Sequence, residues 1–372
     1  MTFPDEAAVR AALATVIDPE LRRPIDELGM LAGVRVDGGR VTVNVLLTIA
    51  GCPLRGTIDA DVRSALATVP GVDEIVVDLD VMSPEQRQAL RDRLRPERGI
   101  PFSKPGSLTK VYAVASGKGG VGKSSVTVNL ACELAARGLR VGIVDADVHG
   151  FSVPGLLGID QGPTRVDDMI LPPVAHDVKA ISIGMFVTGN QAVAWRGPML
   201  HRALEQFLSD VYFGDLDVLF LDLPPGTGDV AISVSQLLPT AQLLIVTTPQ
   251  AAAAEVAERA GSVSSQTGQR VAGVIENMAG LTLPDGTVLE VFGSGGGERV
   301  AERLTEALGT PVPLLGRVPL DVALREGGDE GVPIVLRSPA SPSAVALKDV
   351  AAQLAAAPRG LAGKSLGLNL RG

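Results

Sequence analysis

The run Gly117-Lys118-Gly119-Gly120-Val121-Gly122-Lys123-Ser124 restricts this chain more than any other stretch, because four glycines in six positions closed by Lys-Ser leave few backbone paths open. It stands between an apolar stretch, VYAVA, and a helix-patterned one, VTVNLACELAARG. Strand, glycine loop and helix in that order are the context in which a Walker A match becomes a phosphate site. The glycines let successive N–H groups turn inward, and the helix that starts near Lys123 adds the positive end of its dipole. Lys123 is thereby placed to neutralise terminal phosphates, and the Ser124 hydroxyl to sit on a magnesium ion. The alternative is a glycine-rich turn with no ligand, and the flanking strand and helix weigh against it.

Further apolar runs at 140–144, 218–221, 242–247 and 271–275 alternate with helical segments such as 123–137 and 251–266. Continuous apolar strands separated by helices predict an α/β domain, a mainly parallel sheet with helices on both faces. RVGIVDADVHG ends one strand with Asp145 and Asp147, and DVLFLDLPPGTGD ends another with Asp222. Strand C-termini open onto the ligand crevice of such a sheet. Asp222 after four apolar residues is the Walker B pattern, holding magnesium directly or through water. Asp145 joins it as a magnesium ligand, and Asp147 reads as the residue that orients or deprotonates the attacking water. The plainer reading of these acids is helix capping, since Asp is a favoured N-cap.

At 372 residues the chain exceeds what one hydrophobic core usually serves, so a second domain is expected. Residues 7–17 have helical spacing, broken by Asp18-Pro19-Glu20. Segments 33–37 and 40–48 alternate around an Asp37-Gly38-Gly39 turn, followed by a helix at 57–68 and a strand at 73–81. This β-β-α-β order with a leading helix predicts a small α+β domain over 1–92. Charge, then Pro, Gly and Ser, mark a linker at 93–108 ahead of the phosphate-loop domain at 109–357, with a tail at 358–372. A net charge of -9 argues against a broad nucleic-acid face, so no nucleic acid is expected as partner. The N-terminus has no apolar signal region, and no run of about 18 apolar residues occurs, which predicts a cytoplasmic chain with no membrane span. Two cysteines, Cys52 and Cys132, lie far apart, and His149, His176 and His201 lack ligand spacing. A disulfide framework and a self-contained zinc site are therefore not expected.

SGKGGVGKSS, with Lys118 directly after the first glycine, resembles the deviant Walker A of the MinD/ParA/ArsA/nitrogenase-iron-protein superfamily. DADVHGFSVPGLLG, WRGPML, LDVLFLDLPPGTGD, VIENMAG, FGSGGGERVAE and LGRVPLD are similar to the Mrp/ApbC iron-sulfur cluster carrier group over roughly residues 107–357. IDPELRRPIDELGM and LLTIAGCPL resemble the SufT-like domain fused ahead of many such ATPases. The resemblance implies ATP held by residues 117–125, Ser125 included, and slow hydrolysis in a homodimer. It implies that Lys118 reaches across that dimer to the partner's nucleotide and that Asn277 reads the adenine base, where the plain alternative is a turn Asn. It also implies a 4Fe-4S cluster handed to apo iron-sulfur client proteins alongside assembly factors.

The chain departs from the group where iron chemistry should sit. Mrp/ApbC proteins place a CxxC between the ENM motif and FGSGGG, whereas this stretch reads ENMAGLTLPDGTVLEVFGSGGG. Clusters are usually held by four thiolates. Cys132 is expected in the core behind the phosphate loop. Cys52 matches the characteristic cysteine of the SufT-like domain and is either an iron or cluster contact or a structural residue. His149-Gly150-Phe151 stands where the group usually has Tyr-Gly-Pro. Two other functions compete: a MinD/ParA-type ATP-dependent dimer switch or scaffold without a cluster, and a small-molecule enzyme on the same fold. A switch would be marked by a basic amphipathic C-terminal helix or a basic stripe, and Lys348, Arg359, Lys364 and Arg371 scattered among Ala and Gly form neither.

Overall fold

The computed structural model describes residues 3–49, 51–52, 54–94, 99–104, 106–147, 150–186, 197–226, 229–250, 253–283 and 285–356. His149, the start of the WRGPML motif and the expected tail at 358–372 lie outside the described residues. Packing divides the chain into two units, 1–98 with 163–172, and 99–162 with 173–372.

In the first unit, helix α1 (Glu6–Leu13) precedes strands β1 (Leu31–Asp37) and β2 (Arg40–Leu47), helix α2 (Arg55–Leu66), strand β3 (Glu74–Val81) and helix α3 (Pro84–Leu94). β1 and β2 form the expected hairpin, closed through Gly38 at φ 61°, and β3 joins β2 in parallel. The leading helix is shorter than the 7–17 periodicity suggests. It stops at Leu13, because Ile17 bridges to Pro24 and the Asp18 carboxylate accepts the N–H groups of Glu20 (3.0 Å) and Leu21 (2.7 Å). That local turn competes with helix. The α3 helix has no counterpart in the sequence reading and runs two residues past the expected domain boundary at 92. It opens with a capping box, Gln86 N–H donating to Ser83 Oγ and Ser83 N–H to Gln86 Oε1, two orphan donors satisfied reciprocally. A further hairpin, β4 (Thr164–Val166) with β5 (Met169–Leu171), belongs to this unit by packing although its sequence lies far downstream. Thr164 donates to the buried Glu20 carboxylate at 2.7 Å, and Arg91 of α3 donates to Asp168 at 2.6 Å.

The second unit is built on nine strands: β6 (Lys110–Ala115), β7 (Val141–Asp145), β8 (Val174–Ala175), β9 (Val178–Ser182), β10 (Val218–Asp222), β11 (Gln242–Thr247), β12 (Val271–Thr282), β13 (Val288–Leu289) and β14 (Leu314–Leu320). Their order among the described residues is β13-β12-β11-β6-β10-β7-β9-β8, with β14 on β12. Only the β12–β13 and β8–β9 pairs are antiparallel. Every residue of β7, β9 and β10 is buried, which requires that both sheet faces be covered. Helix α4 (Lys123–Ala136) packs with the Pro342–Ala356 helix, and the Ala253–Thr267 and Gly296–Leu308 helices pack on each other. The expected mainly parallel α/β architecture is thus the one found. Tyr112 and Phe220 stack at 5.7 Å on adjacent strands, and Cys132 is fully buried on α4. Phe102, within the span read as linker, is buried and meets Phe213 edge-on at 5.9 Å. No helix among the described residues is long and apolar enough to cross a membrane.

Candidate nucleotide site

The glycine loop leaves the end of β6 and enters α4 through Gly122, which has φ 77°. A side chain there would be strained, and a Cβ would stand 2.3 Å from the Asn277 amide nitrogen. Among the described residues, no backbone N–H from Gly119 to Ser125 has a partner. Those donors ring the start of a 14-residue helix, where partial positive charge accumulates. The loop's outer side is held in place: Arg259 donates to the Gly117 carbonyl at 3.2 Å, and Ser116 Oγ to the Lys118 carbonyl at 3.0 Å.

Under the loop lies the Asp222 carboxylate, fully buried at the end of β10. The Lys123 ammonium stands 2.7 Å from its Oδ1, Ser124 Oγ donates to Oδ2 at 2.5 Å, and Thr127 Oγ1 donates to Oδ1 at 3.0 Å. Thr127 was not among the residues read from sequence. Its signal was its spacing, one turn after Lys123 on the same helix face.

Asp145 is the register partner of Asp222 across β7 and β10. Its Oδ1 accepts the Asp147 N–H at 3.1 Å, and its Oδ2 accepts from Ser182 Oγ at 3.0 Å. Burial, then the charge of Asp222, push its pKa up to about 7, against the bonds from Asp147 and Ser182 and the charge of Lys123. Two carboxylates on neighbouring strand ends cannot cheaply ionise together in low dielectric. Ser182 was missed because β9 itself gave no clear strand signal. Asp147, 7% exposed, accepts the Gly150 N–H at 3.1 Å.

Asn277 ends the regular part of β12. Its amide nitrogen donates to the Val121 carbonyl of the glycine loop at 2.9 Å, and its buried amide oxygen has no partner among the described residues. The orientation is forced, since the reversed amide would set oxygen against oxygen. Lys118 is exposed and its ammonium meets the Gln250 side chain. The fold therefore gathers Lys123, Ser124, Asp145 and Asp222 under the loop, seats Asn277 against it, and leaves Lys118 on the surface.

Cys52 lies in the first unit. It is half-buried, and burial raises its thiol pKa, opposed by a backbone hydrogen bond at Leu54 and reinforced by Glu20 and Asp18. Burial pushes the Cys132 thiol up to about 12. With two cysteines in the whole chain, the residues present do not fit the usual four-thiolate holder of a 4Fe-4S cluster. Among the described residues, no group of three or more His, Cys, Asp or Glu is placed to hold a metal ion.

Residues 107–355 match the family of NUBPL iron-transfer P-loop NTPases, and residues 6–77 match the iron-sulfur cluster assembly protein family. The chain is 62% identical over 367 residues to the iron-sulfur cluster carrier protein of Mycobacterium bovis, covering 98% of this chain and 96% of that one. It is 42% identical to the protein of the same description from Synechocystis sp. over 355 residues, 94% of this chain and 96% of that one. Among solved structures, a nucleotide-binding protein in complex with ADP from Archaeoglobus fulgidus is similar at a TM-score of 0.52 and 32% identity, covering 62% of this chain and 92% of that one.

The raised Asp145 carboxyl makes the nucleotide-free protein pH-sensitive. In the unfolded chain the group ionises near 3.8 and in the folded chain near 7, so between these values the folded state holds the extra proton. Its contribution to stability is fully present below about 3.8 and is lost as pH rises toward 7. Urea midpoints of wild type should therefore fall relative to Asp145→Asn over that window. Parallel midpoint curves for the two proteins would show that Asp145 ionises normally.

Proposed function

Because the chain belongs to the NUBPL iron-transfer P-loop NTPase family, with an iron-sulfur cluster assembly domain ahead of the NTPase, we propose that it is a cytoplasmic, ATP-driven carrier of iron-sulfur clusters. It binds ATP, hydrolyses it slowly as a homodimer, and hands clusters to apo iron-sulfur client proteins with the help of assembly factors. The observation that carries the nucleotide part is the buried Asp222 carboxylate beneath an unpartnered arc of loop N–H groups, with Lys123, Ser124 and Asp145 around it.

Each residue then has a task. The loop N–H groups and the α4 terminus receive the phosphates. Lys123 leaves Asp222 and turns to the terminal phosphate. Ser124, Asp222 and Asp145 supply oxygen donors that fit a magnesium ion, a hard cation usually held by one or two carboxylates with substrate phosphates and water. Bound there, magnesium would neutralise charge on the phosphate oxygens. Asp147 orients the attacking water. Asn277 keeps its amide oxygen for the adenine amino group, while its nitrogen holds the loop. Lys118 exchanges Gln250 for the partner subunit's nucleotide.

The cargo draws on ligands from outside this chain. Neither Cys132, buried with a thiol pKa of about 12, nor Cys52 alone completes a cluster's ligand set. Cys52, on the first unit, is the residue we assign to iron or cluster contact, with the other ligands coming from a small thiol or from the client.

Lys123→Ala is expected to weaken ATP binding about a hundredfold, the loss of charge-assisted bonds worth about 1.5–3 kcal/mol, whereas Asp222→Asn keeps binding and loses most magnesium-dependent turnover. Calorimetry and phosphate release decide it. Unchanged affinity in a folded Lys123→Ala protein sinks the phosphate-loop reading.

Lys118→Ala is expected to bind ATP yet hydrolyse it poorly. If it acts across a dimer, mixing it with inactive Asp147→Ala under subunit exchange restores activity, toward a quarter of wild type for random pairing. No restoration removes the cross-subunit role.

For the cargo, wild type, Cys52→Ser and residues 107–372 should be compared after anaerobic reconstitution by iron and sulfide content. Iron on wild type alone is the expected result. A stoichiometric cluster on residues 107–372 contradicts the ligand count, and no iron on any of the three favours the switch or scaffold reading.

A further inference from the structure

Glu276 precedes Asn277 and is buried, at 1% exposure. Among the described residues it makes no hydrogen bond to the phosphate loop. Its Oε2 instead accepts the Gly297 N–H at 2.6 Å, on the first turn of the 13-residue Gly296–Leu308 helix, and its Oε1 lies 3.5 Å from Arg317 Nε. Arg317 is its register partner across β12 and β14 and also meets Glu298. A carboxylate at a helix N-terminus, charge-paired from the side, is held in one position.

The glycines here are shaped to this contact. A Cβ on Gly297 would approach Glu276 Cβ to 2.8 Å, and one on Gly296 would approach the Thr248 carbonyl to 2.4 Å. The helix start is thus pressed between the middle of β12 and the segment after β11. From the same helix, Arg299 donates to the Pro249 carbonyl at 3.1 Å, and the next residue, Gln250, meets Lys118. The contacts close a ring: loop Lys118 to Gln250, Pro249 to the helix through Arg299, the helix to Glu276, and Asn277 back to the loop at Val121.

Directly beyond Asn277 the β12–β14 register breaks, and Met278 is in the left-handed region at φ 61°. Register breaks beside sites re-aim side chains, and a strained non-glycine persists only where its surroundings over-determine it. Glu276, two residues earlier, fixes the strand that leads into it. We infer that Glu276 is a positioning residue of the nucleotide site, anchoring β12 to the Gly296–Leu308 helix so that Asn277 is held against the Val121 carbonyl and the glycine loop is preset for phosphate. This rests on the nucleotide-site reading and adds to it a residue that touches neither phosphate nor base.

The test is a double-mutant cycle on the full chain, read as ADP affinity by calorimetry and as KM and kcat for ATP. Wild type should bind ADP, and its failure to do so ends the nucleotide reading itself. Glu276→Ala should weaken ADP binding about tenfold, Asn277→Ala, which also loses the adenine contact, by more, and the double variant no more than Asn277→Ala alone, because the brace is already lost there. Glu276→Gln, which still accepts the Gly297 N–H, should recover most of the lost affinity, and the defect should fall on KM more than on kcat. If Glu276→Ala does not fold, the cycle is run with Arg317→Ala, which removes the charge partner of Glu276, and a smaller loss that again does not add to that of Asn277→Ala is expected. Wild-type ADP binding with additive losses, or with no loss at Glu276, overturns the assignment.

Discussion

Everything in the nucleotide site is arranged around one buried carboxylate. Asp222 has no solvent exposure and is made tolerable by an ammonium and two hydroxyls from a single turn of α4. Removing one partner of such a buried pair typically costs about 3–5 kcal/mol, so Lys123 does not leave Asp222 without replacement. On the proposed reading, phosphate and metal arriving together would supply it, phosphate taking the lysine and the metal the carboxylate. Nucleotide with metal would then be favoured over either alone. The same logic covers Asp145, whose carboxyl is pushed up to about 7 by burial and by Asp222; a cation between the two would draw off that proton.

This arrangement is possible because of sheet order. β10 lies between β6, which delivers the glycine loop, and β7, which delivers Asp145. Only a parallel sheet with these three as neighbours brings Lys123, Asp222 and Asp145 to one edge. The apolar side chains of those strands, Phe220 against Tyr112 among them, hold the edge in register. Burial on both sheet faces thus does the positioning, and the loops carry the chemistry.

What could be read from sequence follows from how local each feature is. The glycine loop, α4 and the Walker B aspartate are recognisable because motif and element coincide within a few residues. The α3 helix carries a legible signal in the Ser83–Gln86 capping box, but among its residues Leu90 alone is buried, which leaves little apolar periodicity to read. Residues whose role depends on distant partners were not legible. Ser182 matters only beside Asp145, and Glu276 only because a helix start twenty-one residues later packs against it. The hairpin at Thr164–Leu171 offers two three-residue strands, too short for a periodicity. Its place in the first unit rests on contacts with Glu20 and Arg91, far away in the chain.

The missing CxxC shifts the burden of cargo handling onto chemistry that is weaker by construction. A thiol ligates as thiolate, and the Cys52 thiol pKa is raised by burial and by two nearby acids, Glu20 and Asp18. Displacing its proton near neutral pH therefore takes a metal to supply the compensating charge. As the proposed iron contact, Cys52 would hold iron less firmly than a low-pKa thiolate pair. A weak, incomplete ligand set suits transfer better than storage, since release to a client with a full set of thiolates runs downhill. The buried acids and the glycine loop, by contrast, are held by contacts within their own chain. On the proposed reading, the cargo-handling half of the carrier is completed by whatever supplies the remaining ligands.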